Sequence, residues 1–166
     1  MARDIRDEID KVLGVPKVPT GVADWALTQQ DDQRLTYALS IDDELSDAKF
    51  IVIAYPTIRS LQFRLILSYG RAIWRVDFAK GEDHVNPLDR PAGLPLGPIN
   101  DPHYHSWHDN RHLATAYSLP HRLLNANVLP NNIRTYENTF RWFCGETNTV
   151  VPSGGVPQLP QSDRLL

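Results

Sequence analysis

Four of the six histidines in this 166-residue chain lie within ten residues, between His103 and His112. The stretch that contains them begins at Asp101 and reads Asp-Pro-His-Tyr-His-Ser-Trp-His-Asp-Asn-Arg-His. Imidazole can ligate a transition metal, or exchange a proton near neutral pH, without a large change in its pKa. Because two acids and an arginine accompany the four histidines, we expect the function of the chain to reside in this segment.

The spacing of these histidines favours a metal site. His103 and His105 are two residues apart, so on a strand both side chains point to the same face, as in the H-x-H geometry of many metal sites. We expect His108 to turn back toward them and complete a set of three nitrogens. Such a site keeps a position open for water, lowers the pKa of that water to about 7, and supports hydrolysis. The segment therefore predicts a divalent metal, with zinc as the candidate, at His103, His105 and His108.

Three further residues are candidates for the chemistry at this metal. We predict Asp109 or His84 as the proton-transfer group, and His84 lies at the other end of a proline-rich loop. Arg111 is predicted to stabilise developing negative charge. The catalytic set is thus His84, Asp109 and Arg111, and the predicted activity is a metal-dependent hydrolase with a phosphodiester as the candidate substrate.

A second hypothesis needs no metal. Two histidines can act as general base and general acid on a phosphodiester while an arginine stabilises the negative charge. A compact sheet with one or two helices and scattered His, Arg and Tyr resembles the small bacterial endoribonuclease toxins, which implies RNA as the partner. The candidate residues are then His84, His103, His105, Arg111 and Tyr104. The net charge of −3 counts against this alternative, because phosphate binding normally recruits a positive surface.

Three known patterns match the segment only in part. The metallo-β-lactamase pattern H-x-H-x-D-H requires an aspartate where Trp107 stands, and the histidine-triad pattern requires a third histidine there. The first cupin motif is matched in spacing by Gly97, His103, His105 and Asp109, but no second motif follows. None of the three patterns identifies the family.

The hydrophobic pattern predicts a single α+β domain over residues 1–150. Apolar residues at helical spacing predict an N-terminal helix within 3–14, and a further helical turn or two is expected over 23–30. Four apolar or alternating runs then predict a four-stranded antiparallel meander. The runs are 35–41, 50–55, 61–67 and 72–78. Arg64, Arg71, Arg75 and Asp77 are expected on an exposed face of this sheet.

The second half of the chain is predicted to be loop and helix. A long proline-rich loop covers 80–102 and leads to the histidine segment. Two to three C-terminal helices follow, with the clearest patterns at 118–127 and 131–144. The tail over 151–166 is expected to be extended or disordered. We expect the histidines at the mouth of a cleft between the sheet and these helices.

A third hypothesis comes from the order of the elements. A helix, a meander and then a loop with His84-Val85-Asn86-Pro87 is similar to ubiquitin-conjugating enzymes, where a His-Pro-Asn segment follows the last strand. No cysteine follows that segment closely, and we expect Cys144, at a helix end, to be buried. The resemblance therefore implies a non-catalytic protein-binding module with a protein partner.

Composition limits the classes of protein. Hydrophobic residues make up 42% and charged residues 22%, which is typical of a soluble globular domain. No apolar run approaches the length of a membrane span, so no membrane partner is expected. A single cysteine excludes an internal disulfide, and the charged first ten residues do not resemble a signal peptide. We therefore expect a cytoplasmic protein of bacterial or phage type.

Overall fold

The computed structural model describes residues 3–30, 32–56, 61–79 and 83–161. Within them the chain is α+β, with an N-terminal helix and a large antiparallel sheet of eight strands. The helices are α1 (Ile5–Gly14), α2 (Trp107–Asn110) and α3 (Tyr136–Glu146), and a 3-10 turn covers Arg111–Leu113. The strands are β1 (Val18–Thr20), β2 (Ala26–Leu27), β3 (Gln33–Ile41), β4 (Glu44–Ala54), β5 (Phe63–Tyr69), β6 (Arg71–Phe78), β7 (His84–Val85), β8 (Pro98–Ile99), β9 (His103–His105) and β10 (Asn127–Val128).

The predicted meander is confirmed as β3, β4, β5 and β6, each paired antiparallel with the next. Tight turns join β3 to β4 and β5 to β6. Asp42 and Asp43 have φ of 51° and 63° between β3 and β4, and Gly70 has φ of 72° between β5 and β6. Positive φ at both turn residues matches the twist of a two-residue hairpin, and short polar side chains tolerate it.

The sheet does not end with the meander. Its order is β1-β3-β4-β5-β6-β9-β10, with β2 also paired to β3, while β7 and β8 form a separate two-stranded ladder. Strand β9 returns from the long loop and pairs antiparallel with β6. This pairing gives the histidine segment a fixed register against the meander.

Two helix predictions are wrong. Residues 118–127 are irregular and end in β10, because backbone groups of Leu124, Asn125 and Ala126 bond to the side chains of His84, Asn110 and Asn86 and not within a helix. Residues 23–30 contain β2, whose Ala26 and Leu27 pair with β3. One C-terminal helix of several turns is present, α3, which Thr135 caps by accepting a hydrogen bond from the Asn138 amide.

The helices α1 and α3 cover one face of the sheet. The buried side of α1 includes Ile9 and Val12, and Asp4 caps the start of that helix. From α3, Phe140 and Phe143 pack on Phe50 of β4, with ring centroids 4.9 and 5.0 Å apart. The main core therefore lies between the helices and this face of the sheet.

The segment after α3 runs back along the N-terminal part of the chain. Lys17 and Thr149 form a parallel bridge, and the Trp25 indole donates a hydrogen bond to the Gln158 carbonyl at 3.2 Å. Val156 and Leu159 are partly buried against the core. In the described part of the chain, no helix is both long enough and apolar enough to cross a membrane.

Candidate functional site

Strand alternation decides which face the histidines occupy. Tyr104 points toward the helices, where its ring stacks on Trp74 at 5.2 Å and meets Trp142 at 5.1 Å between centroids. Because successive side chains of a strand point to opposite faces, His103 and His105 lie on the face away from α3. The expected cleft between the sheet and the C-terminal helices is therefore not where these histidines lie.

The pairing of β6 with β9 brings charged residues beside the two histidines. His103 lies opposite Asp77, and His105 lies opposite Arg75. On the other side of β6, Asp77 lies opposite Arg64 of β5. Residues in register on one face of a sheet are close neighbours, so these five side chains form one patch.

A third histidine joins this patch from the separate ladder. The ring of His84 in β7 lies 5.3 Å from that of His103 and 4.8 Å from that of His105, and the latter two are 5.3 Å apart between centroids. One nitrogen from each ring lies within 4.8 Å of the others. We call His84, His103 and His105 the histidine cluster.

The hydrogen bonds of His84 and His103 define which nitrogen carries a proton. His84 Nε2 lies 2.9 Å from the Leu124 carbonyl oxygen, which can only accept. His103 Nδ1 lies 3.1 Å from the Asp101 carbonyl oxygen in the same way. A neutral imidazole has one N–H, so Nδ1 of His84 and Nε2 of His103 keep free lone pairs.

His105 lies between groups with opposite requirements. Its Nε2 is 3.3 Å from Asp77 Oδ2, which needs a donor, and 2.9 Å from Arg75 Nη2, which can only donate. Its Nδ1 is buried and has no hydrogen-bond partner among the described residues. A buried nitrogen without a partner is costly, so this atom requires a structural or functional explanation.

Asp77 is the buried acid of the site, with its side chain 3% exposed. It accepts hydrogen bonds from Arg64 and, at 2.7 Å, from Arg75 Nε. Burial alone would raise the pKa of Asp77, but the His105 hydrogen bond and the charges of Arg75 and Arg64 hold it well below its usual range. The carboxylate is therefore ionised and paired. Its burial contradicts the prediction that Asp77 lies on an exposed face of the sheet.

The two strand histidines are neutral at pH 7. Burial lowers the pKa of His105 from 6.5 to about 4, and burial also lowers the pKa of His103. Neutral imidazole is the form that ligates a metal or acts as a general base.

Buried asparagines hold the loops around the cluster. Asn86 donates from Nδ2 to the carbonyls of Pro95 and Ala126 and accepts from the Ala126 amide at 2.7 Å. This exchange fixes the chain next to Leu124, whose carbonyl orients His84. Asn110 holds Asn125, the residue between Leu124 and Ala126, through hydrogen bonds of 2.8 and 2.9 Å.

Three residues predicted for the site lie elsewhere. His108 is exposed on α2 and is not in the histidine cluster. Asp109 accepts a hydrogen bond from the Ser106 hydroxyl at 2.7 Å at the start of α2. Arg111 pairs with Asp7 and Asp10 of α1, at 3.3 and 2.8 Å. Because α2 begins directly after β9, these residues follow the helix and not the strand face, and their proposed roles in catalysis or metal binding stay predictions.

The sequence did not predict a role for Asp77 or Arg75 in the site. The signal was the alternating Arg75-Val76-Asp77 run in β6, but only the pairing with β9 shows that this run borders the histidines. Cys144 is 2% exposed, and burial raises the pKa of its thiol to about 12. It is therefore a buried core residue, as expected.

Comparison of the chain with known proteins does not identify a family. No protein-family model matches it, and no curated protein or solved structure matches it significantly. The geometry of the site is therefore the basis for a functional proposal.

Proposed function

We propose that the histidine cluster binds a divalent metal ion, with zinc as the candidate, and that the resulting centre hydrolyses a phosphodiester. The observation that carries the proposal is that one nitrogen from each of three imidazoles, on strands β7 and β9, lies within 4.8 Å of the others. His84 and His103 each donate one N–H to a main-chain carbonyl and keep the other nitrogen free. Metal-ligating histidines generally donate their second ring N–H in this way.

The distances require little movement. Two nitrogens bound tetrahedrally to zinc at about 2.1 Å lie about 3.4 Å apart. The nitrogens of the histidine cluster already lie within 4.8 Å of one another. Metal binding therefore requires these nitrogens to approach one another by up to about 1.4 Å.

Asp77 fits the part of an acid that supports a ligand. If His105 binds the ion through Nδ1, its Nε2 carries the proton and donates to Asp77 Oδ2, now 3.3 Å away. This arrangement satisfies the partnerless Nδ1 and creates a carboxylate–histidine–metal relay. Arg75 keeps its own bond to Asp77 through Nε at 2.7 Å.

The residues present suit a hydrolytic centre. Three protein nitrogens on zinc leave a position for a water whose pKa falls to about 7. Arg64 and Arg75 border the cluster with side chains 29% and 26% exposed, so they can contact an anionic substrate. His84 is partly exposed and gives the cluster its route to solvent.

Metal analysis of protein purified without a histidine tag tests the proposal. We expect about one zinc per chain in the wild type and its loss in a His103→Ala/His105→Ala variant. The matched control is His108→Ala/His112→Ala, which removes two exposed histidines and should keep the metal. Equal loss in both variants, or a folded wild type that binds no zinc, cobalt or nickel, contradicts the proposal.

A second candidate function is metal-free acid–base cleavage of a phosphodiester. The contact between Arg75 Nη2 and His105 Nε2 at 2.9 Å favours it, because it places a guanidinium beside a neutral imidazole. A neutral histidine beside an arginine suits a general base next to an anion-stabilising group. Cleavage of an oligonucleotide that chelator does not reduce, and that His105→Gln abolishes, favours this mechanism over the metal centre.

A further inference from the structure

The face of the sheet that carries the histidine cluster also carries two arginines in register with it. The register aligns Arg34 of β3, Ile53 of β4, Arg64 of β5, Asp77 of β6 and His103 of β9 across the sheet. Aligned residues in neighbouring strands share a face. A molecule lying along this row would pass from Arg34 to the cluster over four strand spacings, about 19 Å.

Further cations border the row. An open depression beside it is lined by Arg34, Lys49 and Arg71, with Asp47 as its one acid among the described residues. Arg34 and Lys49 are exposed, and no ion pair involves either of them in the described parts of the chain. This concentration of positive charge stands out in a chain whose net charge is −3.

Two arginines also lie next to the cluster. Arg64 and Arg75 both contact the buried carboxylate of Asp77, next to His103 and His105. The two guanidiniums therefore lie at the edge of the cluster, with side chains 29% and 26% exposed. Arginine is well suited to phosphate oxygens because its planar fork donates two parallel hydrogen bonds.

We propose that this face, defined by Arg34, Lys49, Arg64, Arg71 and Arg75 and named the basic face, binds the phosphates of a single-stranded nucleic acid and leads it to the histidine cluster. The inference rests on the proposed function in that it names the substrate of the same site. Phosphate contacts by Lys and Arg supply sequence-independent affinity.

The depth of the cluster favours a single strand over a duplex. His103 is 3% exposed and His105 is fully buried, so a reacting phosphodiester has to come down onto the sheet surface. A single strand can bend toward that surface, while the stiff duplex holds its phosphates on a convex cylinder. Ile53 and Ile66 share the face, are partly exposed, and offer apolar contact to sugars and bases.

The test is fluorescence anisotropy with labelled oligo(U) and oligo(dT) of about 12 nucleotides, a length within the site sizes of single-strand binding proteins. The full chain is used, with chelator present so that no metal-dependent cleavage consumes the probe. The variant is Arg34→Ala/Lys49→Ala, which leaves the cluster and its contacts intact. The control is Lys11→Ala/Arg141→Ala, which removes the same charge from exposed positions on the helices.

We expect the Arg34→Ala/Lys49→Ala variant to bind at least about tenfold more weakly, and the control to bind as the wild type does. The slope of log affinity against log salt should fall by about 1.4, since each lost phosphate contact on a single strand contributes about 0.7. Equal weakening by both variants, no binding at low salt, or tighter binding to a duplex or to anionic lipid vesicles overturns the inference.

The metal analysis separates this inference from the proposed function. If the chain binds single strands through Arg34 and Lys49 but holds no metal, the role of the basic face is supported and the metal centre is contradicted. If the chain holds metal at the cluster but does not bind the oligonucleotides, the metal centre is supported and the role of the basic face is contradicted.

Discussion

Asp77 is a buried carboxylate that contacts four side chains of the site. It accepts hydrogen bonds from Arg64 and Arg75, and its Oδ2 lies 3.3 Å from His105 Nε2 and 3.6 Å from His103 Nε2. Each of these partners is polar and would be costly to bury alone. At the residue scale, the arrangement of the site therefore depends on this one acid.

Replacement of Asp77 by asparagine tests this dependence. The amide removes the negative charge that both guanidiniums contact, with little change in shape. Breaking a buried pair costs about 3–5 kcal/mol, and we expect about 3 because both arginines are partly exposed. Zinc affinity should fall about 10–100-fold. Denaturant unfolding and zinc titration measure the two effects.

The control for this prediction is Asp47→Asn, an exposed acid on β4. It should change the free energy of unfolding by less than about 0.5 kcal/mol. A stable Asp77→Asn variant with wild-type zinc affinity would show that the carboxylate does not support the cluster.

The buried histidines predict a dependence of stability on pH. His105 has a pKa of about 4 in the folded chain and 6.5 as the reference value, so the unfolded chain takes up a proton first as pH falls. Its contribution is complete above pH 6.5 and is lost as pH falls toward 4, by up to about 3 kcal/mol at about 1.4 kcal/mol per pKa unit. The measurement is denaturant unfolding of metal-free protein between pH 7 and 4.

His105→Gln should flatten this profile, while His108→Gln, which changes an exposed histidine, should keep it. The depressed pKa of Asp77 affects stability only below its reference value of 3.8, outside this window. A profile in His105→Gln as steep as that of the wild type would place the acid sensitivity in other groups.

At the scale of elements, the site depends on a short strand and on a loop held by side chains. Strand β9 has three residues and is fixed by pairing with β6 on one side and β10 on the other. His84 comes from the two-residue β7, which is not part of the main sheet. Its position relative to β9 is supported by the bonds of Asn86 to Ala126.

Asn86→Ala should loosen this connection. The change leaves the buried amide and carbonyl of Ala126 without their side-chain partner, which costs about 1–3 kcal/mol. We also expect weaker zinc binding, because the Leu124 carbonyl that orients His84 lies two residues away. Hydrogen exchange at the Ala126 amide and zinc titration measure the two effects.

The matched control is Asn131→Ala, an exposed asparagine whose side chain accepts a hydrogen bond from Arg134. This variant should bind zinc as the wild type does. If Asn86→Ala speeds exchange at Ala126 and zinc binding is unchanged, Asn86 supports the loop without positioning His84.

At the scale of the whole molecule, the sheet has two faces with different roles. The helices α1 and α3 cover one face and form the main core, where Phe50, Phe140 and Phe143 pack together. The other face carries the histidine cluster and the cations of the basic face. This separation lets the core fix the strand register while polar residues line the opposite side.

Phe140→Ala tests whether the core supports the site. Phe140 is fully buried, so its truncation should cost about 3–5 kcal/mol. Because the sheet positions His103 and His105, zinc release should follow the same denaturant transition as loss of the fold, monitored by a zinc dye and by circular dichroism.

The neighbouring Arg141→Ala is the control, since Arg141 is exposed and forms a surface pair with Glu137. Its effect should stay below about 0.5 kcal/mol. Release of zinc well before loss of the fold in Phe140→Ala would show that the site does not depend on this core.

Local pattern was enough to predict much of the fold. The helix α1 and the four strands of the meander follow from residue periodicity, because each side chain's exposure there repeats with the geometry of its own element. The same reasoning correctly placed His103 and His105 on one face of a strand. It also overestimated helix in 118–127, where side-chain bonds to the backbone of Asn125 and Ala126 favour an irregular path.

Partners distant in sequence could not be read from local pattern. His108 is three residues from His105, but α2 begins between them and turns its side chain to solvent. His84 is 19 residues before His103, and Asp77 is 26 before it, yet both lie beside that ring. The sequence by itself determined which residue types can do chemistry and which strand face they share. Only the tertiary structure decided which of them meet, because the β6–β9 register and the loop bonds of Asn86 are long-range interactions.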